Sequence, residues 1–194
     1  SRNKFFEGTN SAGMEFAYRD NGTGQFFGSP ERATSGGSNF VIQDGGAGAL
    51  AHEWVNVQYT WDFDGGTNPE FHIYVDGTEV TYLSSTFDSD LSSWSAVVDT
   101  TTELFNVGRD AASDDRYFGG LMDDIAWYND VLDQTERDAV RTSGAGAHPD
   151  LVAHWNLDDA PGTTSVSGNS GTAITLELNA APPSGPAQGF GVNA

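Results

Sequence analysis

Short apolar–polar alternations, cut every few residues by Gly, Asn, Asp and Ser, run through most of this chain, and a period of two is the signature of half-buried strands rather than helices. In Trp54-Val55-Asn56-Val57-Gln58-Tyr59-Thr60-Trp61 the residues Val55, Val57, Tyr59 and Trp61 share one face. Phe71, Ile73 and Val75 repeat the pattern, and Asp76-Gly77 closes that strand with two residues that tolerate positive φ, a hairpin signal that returns the chain along Thr78 to Leu83. Met14, Phe16 and Tyr18 alternate with Glu15, Ala17 and Arg19, and Asp20-Asn21-Gly22 turns that strand toward Gln25-Phe26-Phe27. Further strands are expected at Asn39 to Gln43, Leu104 to Gly108, Phe118 to Tyr128 and Leu151 to Asn156. One helix is expected, capped by Asp133 with Glu136 three residues on, and stopped by Gly144 after Arg137 and Arg141. The reading is an all-β chain, a two-sheet antiparallel jelly-roll sandwich with one short helix. Pro182 to Gly191 has few apolar residues and is expected to cover a surface or move freely.

Composition narrows the partners. The net charge of −20 comes from nineteen Asp and nine Glu against seven Arg and the single Lys4. Such a surface repels nucleic-acid phosphates and anionic lipid heads, so neither is an expected partner. The excess of Asp and scarcity of Lys suit a marine or salt-loving source, or a chain loaded with Ca²⁺, whose hard-cation chemistry wants clustered oxygens; composition does not separate the two. With no Cys there is neither a disulfide framework nor thiolate chemistry, and the apolar runs are too short to insert in a membrane. The abrupt start at Ser1-Arg2-Asn3 reads as a segment of a longer polypeptide, placed outside the cell or at its surface.

The ordered set His52-Glu53-Trp54-Val55-Asn56-Val57, Phe71-His72-Ile73-Tyr74-Val75-Asp76-Gly77, Phe105-Asn106-Val107-Gly108-Arg109, Phe118-Gly119-Gly120-Leu121-Met122-Asp123-Asp124-Ile125-Ala126-Trp127-Tyr128-Asn129 and Val131-Leu132 resembles the second half of a laminin-G-like domain. That concanavalin A-like superfamily also holds the pentraxins and legume-type lectins. The resemblance implies a sandwich, and a parent resembling a large bacterial surface adhesin, but no activity. The family's domains usually open with a strand of the form Leu-Val-Ala-His-Trp-x-Leu-Asp, and here that strand, Leu151 to Asp158, comes last. A circular permutation, most of one repeat followed by the start of the next, and a domain split by an insertion all account for this order. We divide the chain into a main body at 1–143, a linker at 144–150 and a segment at 151–194 that completes the same sandwich, with Leu151 to Asn156 pairing against Leu121 to Tyr128.

Pentraxin-like relatives hold Ca²⁺ with a carboxylate-rich loop after the strand that here ends in Val107-Gly108. The resemblance assigns Asp110, Asp114 and Asp115 to that loop, with Asn10, or more weakly Glu7, as the partner from an early loop. The alternative is an acidic loop held by Arg109 and Arg116 without metal. Tyr117 and Trp94 are candidate platforms for a sugar ring; Trp94 equally suits a small cluster under a long loop. The stretch Asp62-Phe63-Asp64-Gly65-Gly66 with Asn68 and Glu70 starts like a calcium loop but lacks its remaining ligand spacing, and reads better as a polar hairpin. Glycan hydrolysis needs two carboxylates flanking one bond, and no strand carries an alternating pair. His52, His72, His148 and His154 are given structural or surface roles. Asp123 and Asp124, read as adjacent strand residues, face opposite sides. The expected function is therefore a non-catalytic, Ca²⁺-assisted carbohydrate-binding or cell-adhesion module for a cell-surface glycan. A structural or protein-interaction repeat is the alternative, and an accessory or catalytic part of a polysaccharide-degrading enzyme comes third.

Overall fold

The computed structural model describes residues 2–8, 15–19, 24–31, 39–42, 53–62, 70–83, 105–108, 118–145, 148–158, 165–167 and 175–177. The chain forms two compact units, Ser1–Phe118 and Gly119–Ala194.

In the first unit, β1 (Arg2–Gly8), β2 (Glu15–Arg19), β3 (Gln25–Glu31), β4 (Asn39–Ile42) and β8 (Phe105–Val107) form one antiparallel sheet in the order β4-β3-β2-β1-β8. A second sheet holds β5 (Val57–Asp62), β6 (Glu70–Val75) and β7 (Thr78–Glu79) in sequence order. The β6–β7 hairpin turns on Asp76 and Gly77, with φ of 50° and 82°, the two positive values a tight two-residue turn demands. Asn56 extends the β5 edge onto that turn: its N–H donates to Asp76 Oδ1 at 3.0 Å and its carbonyl accepts from Asp76 N at 2.9 Å.

The two sheets meet through aromatic rings, which makes this unit a two-layer sandwich. Phe16 of β2 stacks on Tyr59 of β5 at 4.5 Å between ring centres and reaches Trp61 at 5.6 Å and Phe71 of β6 at 6.3 Å. The approach is close because Gly28, opposite Phe16 in the β2–β3 register, has no side chain; a Cβ there would lie 2.6 Å from Cε1 of Phe71. Ile73 is fully buried and Phe26 1% exposed, so the core runs through the middle of both sheets. The five-stranded sheet is buried on its other face too, where Ala17 and Phe27 sit opposite each other, 0% and 2% exposed. Ala17 thus belongs to a second apolar layer.

In the second unit, β9 (Ile125–Tyr128) pairs antiparallel with β10 (Leu151–Trp155), Tyr128 opposite Leu151 and Ile125 opposite Trp155, as the sequence leads one to expect. Ala153, Trp155 and Leu157 are buried, with Met122, Ile125 and Trp127 packed against them. Helix α1 (Gln134–Ser143) lies between these strands in sequence and starts with the expected capping box: Asp133 Oδ1 accepts from Glu136 N at 2.9 Å, and Glu136 Oε2 accepts from Asp133 N at 2.8 Å. It is the one helix among the described residues. A backbone hairpin pairs β11 (Ser165–Ser167) with β12 (Thr175–Glu177).

One sequence expectation is corrected. The strand expected over Phe118 to Tyr128 is confined to Ile125–Tyr128, because Asp124 takes a left-handed φ of 52°. Asp tolerates that conformation better than most residues, and here its N–H donates to Asp123 Oδ1 at 3.0 Å. Asp123 and Asp124 are therefore turn residues, and strand alternation is not what separates them.

Candidate binding surface

Alternation along β5 sends Val57, Tyr59 and Trp61 inward and leaves Gln58, Thr60 and Asp62 on the outer side, opposite Tyr74, His72 and Glu70 in the β6 register. This outer face is polar. His72 Nδ1 lies 2.6 Å from Glu79 Oε1, and a carboxylate only accepts, so Nδ1 carries the shared proton. The same Glu79 oxygen accepts from the Tyr82 hydroxyl at 2.9 Å, while that hydroxyl accepts from Ile73 N at 2.9 Å. Burial holds the Tyr82 phenol well above its usual range, with the neighbouring Glu79 adding to the shift, so it works as a neutral donor that ties β7 to β6. The His72 and Tyr74 rings lie 6.1 Å apart on this face. Trp54, three residues ahead of β5, is 56% exposed, and two residues on Asn56 makes the double contact with Asp76. Inside, burial pushes the Tyr59 hydroxyl strongly up, and its oxygen has no hydrogen-bond partner.

The second unit holds two more histidines. His154, 7% exposed, donates from Nε2 to Asp124 Oδ1, so the left-handed turn before β9 is locked to β10. His148 Nδ1 accepts from Asp150 N at 3.3 Å, which leaves Nε2 as the donor to Glu136 Oε1 at 3.1 Å. Its ring meets Tyr128 edge-on at 5.7 Å, and the Tyr128 hydroxyl donates to Ala145 O at 3.4 Å. Burial, with the charge of Asp124, pushes Tyr128 up to about 12. A shallow cleft of about 310 Å³ opens beside His148, between Glu136, Ala139 and Val140 of the helix and Pro149. Each of these imidazoles is held by a carboxylate in a contact that fixes one element against another.

The sequence-derived site residues Asn10, Trp94, Asp110, Asp114, Asp115 and Tyr117, and the stretch 63–69, lie outside the described residues. Their anchor points are described. β1 and β8 pair with Phe6 opposite Val107 and Gly8 opposite Phe105, so the segment carrying Asn10 and the segment carrying Asp110 leave this ladder from opposite ends. The acidic segment is closed at its base by a bond from Phe118 N to Gly108 O at 2.9 Å.

In the backbone register Glu15 is paired with Glu7, and Asp62 with Glu70, which spacing along one strand does not reveal. Among the described residues, no three His, Asp or Glu side chains are grouped so as to hold a metal ion, and no helix is long and apolar enough to cross a membrane.

The laminin-G-type family model described as the concanavalin A-like lectin/glucanases superfamily matches residues 1–136. Searches of the curated proteins and of the solved structures found no match.

Proposed function

The chain belongs to the concanavalin A-like lectin/glucanases superfamily, and from that membership we propose that it is a non-catalytic binding module that works outside the cell and takes a carbohydrate with the help of Ca²⁺. Family membership is the observation that carries the reading, and the surface chemistry supports it. The outer face of β5–β6–β7 carries imidazole and carboxylate groups, and an exposed tryptophan precedes β5, chemistry suited to a hydroxyl-rich ligand. The described histidines are engaged in holding elements together, which supports binding over turnover. For the ion, the ligands are Asp110, Asp114 and Asp115, which lie between Gly108 and Phe118 in sequence, with Asn10 as their partner.

The test is thermal unfolding in millimolar CaCl₂ and then in excess EDTA at matched ionic strength, followed by a glycan array. An ion present at about a hundred times its Kd stabilises the native state by about 2.7 kcal/mol, or about 5–10 °C in Tm for a chain of this size. Asp114→Ala should abolish the rise. An unchanged Tm removes Ca²⁺ from the proposal, and an array without signal replaces the carbohydrate by a protein partner.

A further inference from the structure

We infer that Trp54 is the stacking platform of a subsite for a neutral pyranose, an inference that rests on the carbohydrate reading above and names its ligand class. The other described tryptophans are packed: Trp61 against Phe16, Trp127 against the β10 cluster, and Trp155 at 8% exposure. Trp54 alone among them is more than half exposed, so its ring forgoes burial that its neighbours in sequence obtain. It is exposed without being loosely held. Two residues on, Asn56 is bonded through both its N–H and its carbonyl to Asp76, at 3.0 and 2.9 Å, and the β5–β6 register begins at the next residue. The backbone beneath the ring is therefore set before a ligand arrives, which limits the ordering cost of binding.

The groups around it define the ligand. Glu53 and Asp76 are exposed. Carboxylates accept hydrogen bonds, and sugar hydroxyls donate them. The flat C–H face of a pyranose with equatorial hydroxyls matches an indole face, as apolar surface does generally. With two carboxylates close by and a net charge of −20, uronate and sulfated sugars are repelled. The subsite thus selects a neutral, equatorially substituted ring.

The experiment titrates the full chain with cellohexaose as the neutral probe and a mannuronate hexamer as the anionic one, at matched ionic strength, by tryptophan fluorescence and calorimetry. Cellohexaose should bind and shift the indole emission, with affinity reduced about tenfold or more in Trp54→Ala and retained within about threefold in Trp54→Phe. Equal affinity in wild type and Trp54→Ala overturns the subsite while leaving the carbohydrate reading intact. Tighter Trp54-dependent binding of the mannuronate hexamer overturns the neutral assignment. Failure of the wild type to bind cellohexaose overturns the subsite, and failure on a full glycan array removes the carbohydrate reading with it.

Discussion

Replacing Gly28 by Ala tests the account of the sandwich core with a single methyl group. The added Cβ would stand 2.6 Å from Cε1 of Phe71 and 3.3 Å from Cδ1 of Tyr59, whereas carbon atoms in contact prefer about 3.5–4.0 Å. The Phe71 ring would have to retreat by about 1 Å, and it is 3% exposed, with Phe16 and Tyr59 ring centres 6.3 and 6.2 Å away and themselves stacked at 4.5 Å. Overpacking of this kind costs about 1–3 kcal/mol, from which the loss of glycine's freedom in the unfolded chain returns about 0.4–1 kcal/mol. The net expectation is about 1–2 kcal/mol, or a Tm lowered by about 2–8 °C. Urea unfolding should show a lower midpoint at unchanged slope. Phe71 is the group in the way, so the same substitution in a Phe71→Leu background should be nearly neutral, a coupling of about 1–2 kcal/mol between the two sites. An equal cost in both backgrounds, or no cost in either, refutes the close-approach account.

Two further outcomes follow from the second unit and the phenols. Asp133→Ala removes the acceptor for Glu136 N and half of the capping box, and should lower stability by about 0.5–2 kcal/mol in urea unfolding, with faster amide exchange at Glu136. Tyr128, Tyr82 and Tyr59 all favour their neutral form in the folded protein, so the unfolded chain ionises first on raising the pH. The stability they contribute is complete below the ordinary tyrosine value of 10.0 and drains as pH rises through about 12, the folded value of Tyr128. Tm measured against pH should therefore fall steadily above pH 10, and Tyr128→Phe should make that fall shallower.

Much of the fold was legible because its signals are local. The Asp76-Gly77 turn, the Asp133–Glu136 box and the alternation of β5 and β6 each depend on a few neighbouring residues whose backbone preferences have one outcome. What escaped depends on partners distant in sequence. Ala17 has no local mark of burial on a second face, and the shortening of β9 follows from a turn at Asp124 that His154 holds from the other strand. The same holds for the surface. The outer-face cluster of His72, Glu79 and Tyr82 spans a turn that spacing cannot measure. Trp54 lay within the quoted motif, but its exposure is a three-dimensional fact.

The pairing of β9 with β10 also sets a timetable. Asp124 and His154 are 30 residues apart, with the whole of α1 between them, and β10 lies beyond the stretch that the family model matches. During synthesis at about 5–20 residues per second, β9 is complete for roughly 1–6 s before its partner strand has been made. In that interval Met122, Ile125 and Trp127 have no Trp155 or Leu157 to pack on, and the capped helix is the element that can form from local contacts alone. Pairing of β9 therefore waits on β10, and the helix sets the distance the nascent chain must travel before β9 is covered.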